Sequence, residues 1–225
     1  MTPLVLLPGL MCDGRLFGPQ MELGPQIWAP AFTTGDSIGA IADWVLAKAP
    51  PRFALGGLSM GGIVAMEVIA RAPERVTRLA LMDTNPLAEA PEIAAARAPQ
   101  IAAAREGRLA QVMREELKPN YLARPTPAIL DLCLDMALGL GPEVFARQSR
   151  ALQTRPDQSA GLRAVRVPTL VLHGAQDRLC PPARHELLRD LIPGARLVSI
   201  TGAGHLPTLE APQAVTEALR GWLTA

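Results

Sequence analysis

The chain has 225 residues, 49% of them hydrophobic and 19% charged, which is enough for one domain with a full core. Its formal net charge of +1, with basic residues scattered along the sequence, argues against nucleic acid or an anionic membrane as a partner. The three cysteines lack metal-like spacing, and the apolar start is too short for a membrane span, so we expect no disulfide framework and a cytoplasmic protein.

The first part of the chain alternates between strand-like and helix-like segments. Leu4-Val5-Leu6-Leu7, ended by Pro8-Gly9, has the continuous apolar character of a parallel strand buried on both faces. Asp36-Ser37 suits the start of a helix whose apolar residues recur three and four apart. The elements expected up to residue 82 are strands over 4–7, 26–32, 52–55 and 76–82, and helices over 15–23, 38–46 and 62–70.

This alternation stops after the fourth strand. Residues 86–164 are rich in Ala, Arg and Pro and show helical periodicity, which predicts helices over 90–106, 107–118, 126–138 and 142–154. The insertion leaves from the carboxyl end of a strand, where α/β sheets place their ligands, so we expect it to form a helical lid over the active site. A structural subdomain away from the chemistry is the alternative interpretation.

After the insertion the alternation resumes. The pattern predicts strands over 167–174 and 196–200 and helices over 182–191 and 210–223. Strands that alternate with helices indicate an α/β fold, here a doubly wound, mainly parallel sheet of about six strands with right-handed crossovers. Residues 1–85 and 165–225 are expected to form this core, and residues 86–164 the lid.

The stretch Gly57-Leu58-Ser59-Met60-Gly61 lies between a predicted strand and a predicted helix. A serine between two glycines at such a turn is typical of a nucleophile elbow, in which the strained serine stands exposed above the sheet. Glycine is needed two positions either side because larger side chains would collide with neighbouring backbone. The alternative is a glycine-rich helix start in which Ser59 is only an N-cap.

A serine nucleophile needs a base, and the chain offers three histidines. His205 lies on a glycine-flanked loop just after the sixth predicted strand, which makes it the expected base. His173, where the fifth strand meets its turn, is expected to be a structural hydrogen-bonding residue. His185 lies inside a predicted helix and is expected on the surface.

The base in turn needs an acid that orients it. Asp177 follows the fifth strand on a carboxyl-end loop, and the order Ser59, Asp177, His205 is the order associated with the elbow. Asp83, at the end of the fourth strand, is the rival; its alternative role is to accept hydrogen bonds from nearby turn amides. We therefore predict Asp177 as the acid.

The reaction also requires two backbone N–H groups that face the developing negative charge. One is expected from Met60, directly after the nucleophile. The other is expected from Leu10, which follows Pro8-Gly9 in the loop after the first strand.

Four motifs in this order resemble the α/β-hydrolase superfamily, in particular compact bacterial serine esterases such as the pimeloyl carrier-protein methyl ester esterases. They are Leu-Leu-Pro-Gly-Leu at 6–10, Gly-Leu-Ser-Met-Gly-Gly at 57–62, His-Gly-x-x-Asp at 173–177 and Gly-x-Gly-His at 202–205. The resemblance implies the fold, the triad and the oxyanion-hole roles at these positions. The chain departs from many relatives in carrying Pro8 where they have His. Its first motif comes within ten residues of Met1, so we do not expect the antiparallel hairpin that usually precedes this motif in relatives.

The expected activity is hydrolysis of carboxylic esters through an acyl-enzyme on Ser59, with a small-molecule acyl ester as substrate and no metal or organic cofactor. Acyl transfer, thioester hydrolysis or C–C bond hydrolysis on the same triad remain open, as does a small-molecule receptor on this scaffold. Cys12 and Cys180 lie near the predicted catalytic loops, where small apolar packing is their expected role. The oligomeric state is not readable from the sequence.

Overall fold

A computed structural model describes residues 2–224 and contains one six-stranded, fully parallel sheet. Its strands, in chain order, are β1 (Leu4–Leu7), β2 (Ile27–Trp28), β3 (Phe53–Leu58), β4 (Val76–Met82), β5 (Thr169–Gly174) and β6 (Arg196–Ile200). They are arranged β2-β1-β3-β4-β5-β6, and every neighbouring pair is parallel. The predicted doubly wound sheet of about six strands is confirmed. Met1 and Ala225, which end the predicted core segments, lie outside the described residues.

Helices cover both faces of this sheet. They are α1 (Ile38–Lys48), α2 (Met60–Arg71), α3 (Pro91–Ala103), α4 (Leu109–Gln111), α5 (Pro127–Leu140), α6 (Pro142–Gln153), α7 (Ser159–Leu162), α8 (Pro182–Leu191), α9 (Pro207–Glu210) and α10 (Pro212–Thr224). A 3₁₀ helix over Gly14–Leu23 follows β1. No helix within residues 2–224 is long and apolar enough to cross a membrane.

Alternate residues of each buried strand serve two separate cores. In β1, Val5 and Leu7 belong to the core that also contains residues of α1, α2 and α8, whereas Leu4 and Leu6 belong to the core that contains residues of the 3₁₀ helix and α10. Successive side chains of a strand point to opposite faces, so an entirely apolar strand is what a sheet covered on both sides requires. Because all six strands are parallel, their carboxyl ends lie at the same edge of the sheet, and the site lies at this edge.

Helices α3 to α7 lie between β4 and β5, in the region predicted as the insertion. Between α3 and α5 the helical turns are irregular, with π-helical turns over Ala104–Arg108 and Val112–Leu117. Gly107 has a φ of 87° there, a conformation that glycine adopts without strain, and it lies at the boundary between the helices predicted over 90–106 and 107–118. The division of the chain into two domains remains a prediction.

Two element predictions need correction. The strand expected over 26–32 is only Ile27–Trp28, which pairs with Leu4 and Val5 of β1; Pro30, which has no N–H to donate to a sheet, follows two residues later. The closing helix expected over 210–223 is α10, which begins at Pro212; it is preceded by the short α9, which was not predicted, and Ala211 separates the two helices. Pro212 follows that residue, and the position before a proline is disfavoured from helical geometry.

Candidate active site

Ser59 lies on the tight turn between β3 and α2, as the Gly-x-Ser-x-Gly pattern predicts. Its backbone has φ 55° and ψ −117°, a conformation that costs a non-glycine residue free energy. A Cβ on Gly57 would lie 2.2 Å from the carbonyl oxygen of Gly61, and a Cβ on Gly61 would lie 1.9 Å from that of Leu7. Both glycines are therefore required by close backbone approach.

The hydroxyl of Ser59 is not used as a helix cap. It makes no capping hydrogen bond, and its Oγ lies 2.8 Å from Nε2 of His205 instead. The backbone carbonyl of Ser59 accepts a hydrogen bond of 2.8 Å from the hydroxyl of Thr84. The interpretation of Ser59 as an N-cap is therefore wrong.

His205 and Asp177 extend this contact into a buried chain of hydrogen bonds. Nδ1 of His205 lies 2.8 Å from Oδ2 of Asp177, and the side chains are 3% and 0% exposed. A carboxylate only accepts, so Nδ1 carries the proton and Nε2 is left to accept from Ser59. The structure thus brings together the three side chains predicted to form the triad.

Backbone amides hold the carboxylate of Asp177 in place. Its Oδ1 accepts hydrogen bonds of 2.8 Å and 3.0 Å from the N–H groups of Leu179 and Cys180. Burial alone would raise the pKa of Asp177, but the charge and hydrogen bond of His205 and the two amides outweigh it and lower the pKa. Asp177 is therefore ionised and acceptor-only at neutral pH.

Asp83 is a second buried carboxyl beside the first. Its Oδ1 accepts a hydrogen bond of 2.9 Å from the Gly174 N–H, and its backbone has a φ of 44°. Burial, then the negative charge of Asp177, raises its pKa well above the ordinary value of 3.8. Asp83 thus accepts a hydrogen bond from a backbone amide, which was the alternative to its being the acid. Within residues 2–224 it makes no hydrogen bond with His205.

The prediction that His185 lies on the surface was wrong. It is 0% exposed, accepts a hydrogen bond of 3.2 Å from the Thr84 N–H, and stacks on His173 with ring centroids 4.5 Å apart. The reason is that α8 turns its His185 face toward β5, where burial lowers the pKa of His185 to about 3. His173 contacts the Gly174 carbonyl at 3.0 Å, in agreement with a structural role.

Two sets of donor atoms at this edge lie close enough to consider a metal ion. Asp177, Cys180 and His205 form one set, and Asp83, Asp177 and His185 the other, with the atoms of each within 4.8 Å of one another. Burial and the Asp177 charge raise the pKa of the Cys180 thiol, and a thiol must lose its proton to bind a metal. The carboxylate of Asp177 is already hydrogen-bonded on both oxygens. These contacts favour a proton-transfer chain over a metal site.

The loop after β1 approaches the serine as predicted. Leu10 lines the same cavity as Ser59, and the neighbouring Met11 donates its N–H to Oε1 of Gln148 at 2.8 Å. At the start of α2, the Gly62 N–H already donates to the Ser59 carbonyl, whereas the N–H of Met60 is among the first groups of a helix, which have no partner in the helix itself. Leu10 thus lies in the same cavity as the serine, and Met60 follows the serine directly at the start of α2.

Sequence reasoning missed the residues that attach the insertion to the catalytic loops. The His205 N–H donates to the Tyr121 carbonyl at 2.7 Å, and the Tyr121 ring meets the His205 ring edge-on at a centroid distance of 5.5 Å. Glu210 accepts from the N–H groups of Gly204 at 2.9 Å and Ala123 at 2.7 Å. The available signal in the sequence was Glu210 itself, because a carboxylate in the first turn of a helix that begins at Pro207 is placed to accept from backbone N–H groups.

A cavity of about 390 Å³ opens above the serine. Ser59 and His205 form its floor, and α3, α6 and the segments flanking them form much of its wall. Cys12 and Cys180 are both buried and free, and burial raises the pKa of Cys12 to about 12, so small apolar packing accounts for both.

Comparison with known proteins places the chain in a family. The sequence profile of the alpha/beta hydrolase family matches residues 4–218. The chain belongs to this family, so the predicted fold and the prediction of an esterase-type α/β-hydrolase are confirmed.

Particular relatives give a finer view. The chain is 30% identical over 241 aligned positions to a pimeloyl-[acyl-carrier protein] methyl ester esterase from Aromatoleum aromaticum, with 93% of each protein covered. A thermophilic esterase from Thermogutta terrifontis, solved with malate bound, superposes with a TM-score of 0.90 at 28% identity, covering 100% of this chain and 90% of that one. The enol-lactonase from Burkholderia xenovorans LB400 shares the fold, with a TM-score of 0.88 at 24% identity over 100% and 92% of the two chains.

Proposed function

We propose that the protein hydrolyses carboxylic esters through an acyl-enzyme formed on Ser59, with His205 as base and Asp177 as the acid that orients it. One observation carries this proposal. Oγ of Ser59, the ring of His205 and the carboxylate of Asp177 form a continuous chain with both contacts at 2.8 Å. Nucleophile, base and orienting acid within hydrogen-bond reach are the arrangement that activates a serine hydroxyl.

In the first step Ser59 Oγ attacks the ester carbonyl carbon while Nε2 of His205 takes its proton. Asp177 stabilises the imidazolium that forms, because its pKa is lowered and it remains ionised. His205 then gives this proton to the leaving alcohol, and the acyl group stays on the serine. In the second step a water molecule gives a proton to Nε2 of His205 and attacks the acyl carbon. The bond from that carbon to Oγ of Ser59 then breaks, His205 returns the proton to Oγ, and the acid is released.

The oxyanion of each tetrahedral intermediate is assigned to the N–H groups of Leu10 and Met60. The hydrogen bond between Gln148 and Met11 supports this assignment, since it anchors the loop that presents Leu10. The positive end of α2 points at the same place. Loss of one such donor typically costs about 10²–10³ in rate.

The insertion is proposed to act as the lid that encloses the acyl group. Its side chains supply much of the apolar lining of the cavity, from Leu87, Ile93, Leu117 and Leu152. Pockets that are mostly apolar with a few polar groups are typical of small-molecule sites. The name of the relative from Aromatoleum aromaticum makes methyl esters of acyl chains the first substrates to test.

The test is labelling with a fluorophosphonate probe combined with a p-nitrophenyl ester series. Wild-type protein is expected to be labelled and to turn over esters, and Ser59→Ala to lose labelling and roughly 10⁶-fold in kcat. Ser149→Ala is the matched control, because Ser149 is a buried serine in α6 outside the hydrogen-bonded chain. Absence of labelling in folded wild-type protein would overturn the nucleophile, and labelling without ester turnover would favour acyl transfer or a receptor role.

A further inference from the structure

Three charged side chains of the insertion form a buried group in the cavity wall. We call Glu89, Arg97 and Arg155 the charged cluster; their side chains are 2%, 9% and 11% exposed. Arg97 binds both carboxylate oxygens of Glu89, and Arg155 binds one of them at 2.6 Å. Arg155 also donates to the Leu87 carbonyl at 3.0 Å. The cluster thus lies in the same cavity as Ser59.

The charges of this cluster do not balance. Two guanidinium groups face one carboxylate, which leaves a net charge of +1 in a buried wall. The remaining charged residues in the cavity lining, Arg184 and Glu116, are exposed and of opposite sign. Burial and the neighbouring charge of Arg97 lower the pKa of Arg155 although Glu89 opposes this effect. A buried excess cation is costly unless an anion completes it.

Each of the two arginines also has a side-chain nitrogen that makes no hydrogen bond within the described residues. Within residues 2–224, Arg97 uses Nε and Nη2 and Arg155 uses Nε and Nη1 in hydrogen bonds. Nη1 of Arg97 and Nη2 of Arg155 make none, and neither is among the completely buried polar atoms without a partner. They therefore keep accessible surface. Guanidinium N–H groups bind carboxylates with well-defined geometry.

We propose that the charged cluster binds a free carboxylate of the substrate, so that the preferred substrates are monoesters of dicarboxylic acids. The ester end lies at Ser59, the methylene chain lies along the apolar lining, and the second carboxylate accepts hydrogen bonds from Arg97 and Arg155. This inference rests on the proposed function. It adds a substrate class, since an apolar pocket alone would not bind the free carboxylate of a monoester in preference to the second ester group of the corresponding diester.

The experiment compares the monomethyl and dimethyl esters of the same straight-chain diacid, over a series of chain lengths. Wild type is expected to favour the monoester in kcat/KM. Arg97→Met should reduce kcat/KM for the monoester by about 10–100-fold, the range for a charge-assisted hydrogen bond, and leave the dimethyl ester nearly unchanged. The loss should be in KM, because a carboxylate remote from the reaction is bound equally in ground and transition states.

Arg108→Met is the matched control. Arg108 lies in the same insertion, is exposed, pairs with the exposed Glu106 and does not line the cavity, so both substrates should behave as in wild type. If Arg97→Met does not fold, Arg155→Met tests the same site. A measurement without any variant is competitive inhibition of wild type by the free diacid, which should exceed that by the monocarboxylic acid of equal length.

The outcomes separate the two proposals. Dimethyl ester turnover with no preference for the monoester would overturn the carboxylate site alone. An equal loss on both substrates in Arg97→Met would assign the cluster a purely structural role and also overturn it. Folded wild type that neither reacts with a fluorophosphonate nor cleaves any ester would overturn the esterase function itself.

Discussion

The sheet edge and the insertion contribute to the same cavity in different ways. At the sheet edge, positions are set by backbone: Ser59 and Asp83 have positive φ, and Gly61 is pressed against the Leu7 carbonyl. In the insertion, positions are set by contacts over long sequence separations. The Gln148 side chain accepts from the Met11 N–H, and the Tyr121 backbone carbonyl accepts from the His205 N–H.

This difference indicates which part of the site evolution can vary. Backbone geometry at a strand end tolerates few residue types, so the reactive groups of the family are confined to a small set of short motifs. A wall made of helical side chains can change its charge or shape without disturbing that geometry. We therefore expect chemistry to belong to the sheet edge and substrate choice to belong to the insertion.

The largest effect is expected on kcat, when each of the two aspartates at the sheet edge is replaced by asparagine. Asp177→Asn should reduce kcat by about 10⁴-fold, because an amide no longer holds the tautomer of His205 that accepts from Ser59. Asp83→Asn should cost roughly tenfold at most, since burial and the charge of Asp177 raise the pKa of Asp83 and so favour its neutral form, and an amide oxygen still accepts from the Gly174 N–H. The measurement is kcat on a p-nitrophenyl ester. Comparable losses in the two variants would contradict the assignment of Asp177 as the acid.

A smaller effect compares glycines of the two regions. Gly61→Ala should destabilise the fold by about 3 kcal/mol or more, because its Cβ would lie 1.9 Å from the Leu7 carbonyl oxygen and neither backbone can yield easily. Gly139→Ala, in α5 of the insertion, is exposed and meets no atom within 4 Å. It should stabilise the protein by about 0.5–1 kcal/mol. Urea denaturation of both variants tests this pair, and similar shifts in midpoint would show that the elbow is looser than its contacts imply.

The smallest effect is a pH dependence. The pKa of Asp83 is raised in the folded protein, so the folded state keeps a proton that the unfolded chain releases above about 3.8. Wild-type stability should therefore fall as pH rises above that value, by at most about 1.4 kcal/mol for each pH unit. Asp83→Asn removes this dependence. Its melting temperature relative to wild type should rise between about pH 5 and about pH 8, and a constant difference would mean that Asp83 is ionised in the folded state.

Much of the sheet edge was predictable because it depends on local patterns. Apolar runs ended by glycine or proline located the buried strands, and the motif order brought Ser59, Asp177 and His205 to one edge of a parallel sheet. The exposure of His185 was predicted wrongly, because a polar residue in a helix looks like a surface residue until the face packed on β5 is known. The length of the strand predicted over 26–32 was overestimated, since the apolar residues there do not reveal that pairing with β1 covers only Ile27 and Trp28.

The insertion was predictable only in outline. Helical periodicity located its helices, yet Gly107 and the π-helical turns that bend them leave no periodic signal. The charged cluster joins Glu89 with Arg97 and Arg155, and no spacing rule connects residues that meet only through the packing of α3 against α6. Residues 86–164 contain ten Lys and Arg against nine Asp and Glu, and this near balance in the sequence conceals the local excess of positive charge in the buried wall.

The link between Glu210 and the insertion has a consequence for protein engineering. This one carboxylate, from the core, accepts from Gly204 beside the base and from Ala123 in the insertion. Residues 86–164 are therefore not an independent module: a chimaera that imports the insertion of a relative keeps Glu210, and the imported segment must present a backbone N–H where Ala123 stands. Successful exchanges should therefore depend on the backbone of the imported segment near position 123, where a proline would remove the donor, as much as on the ends of the graft.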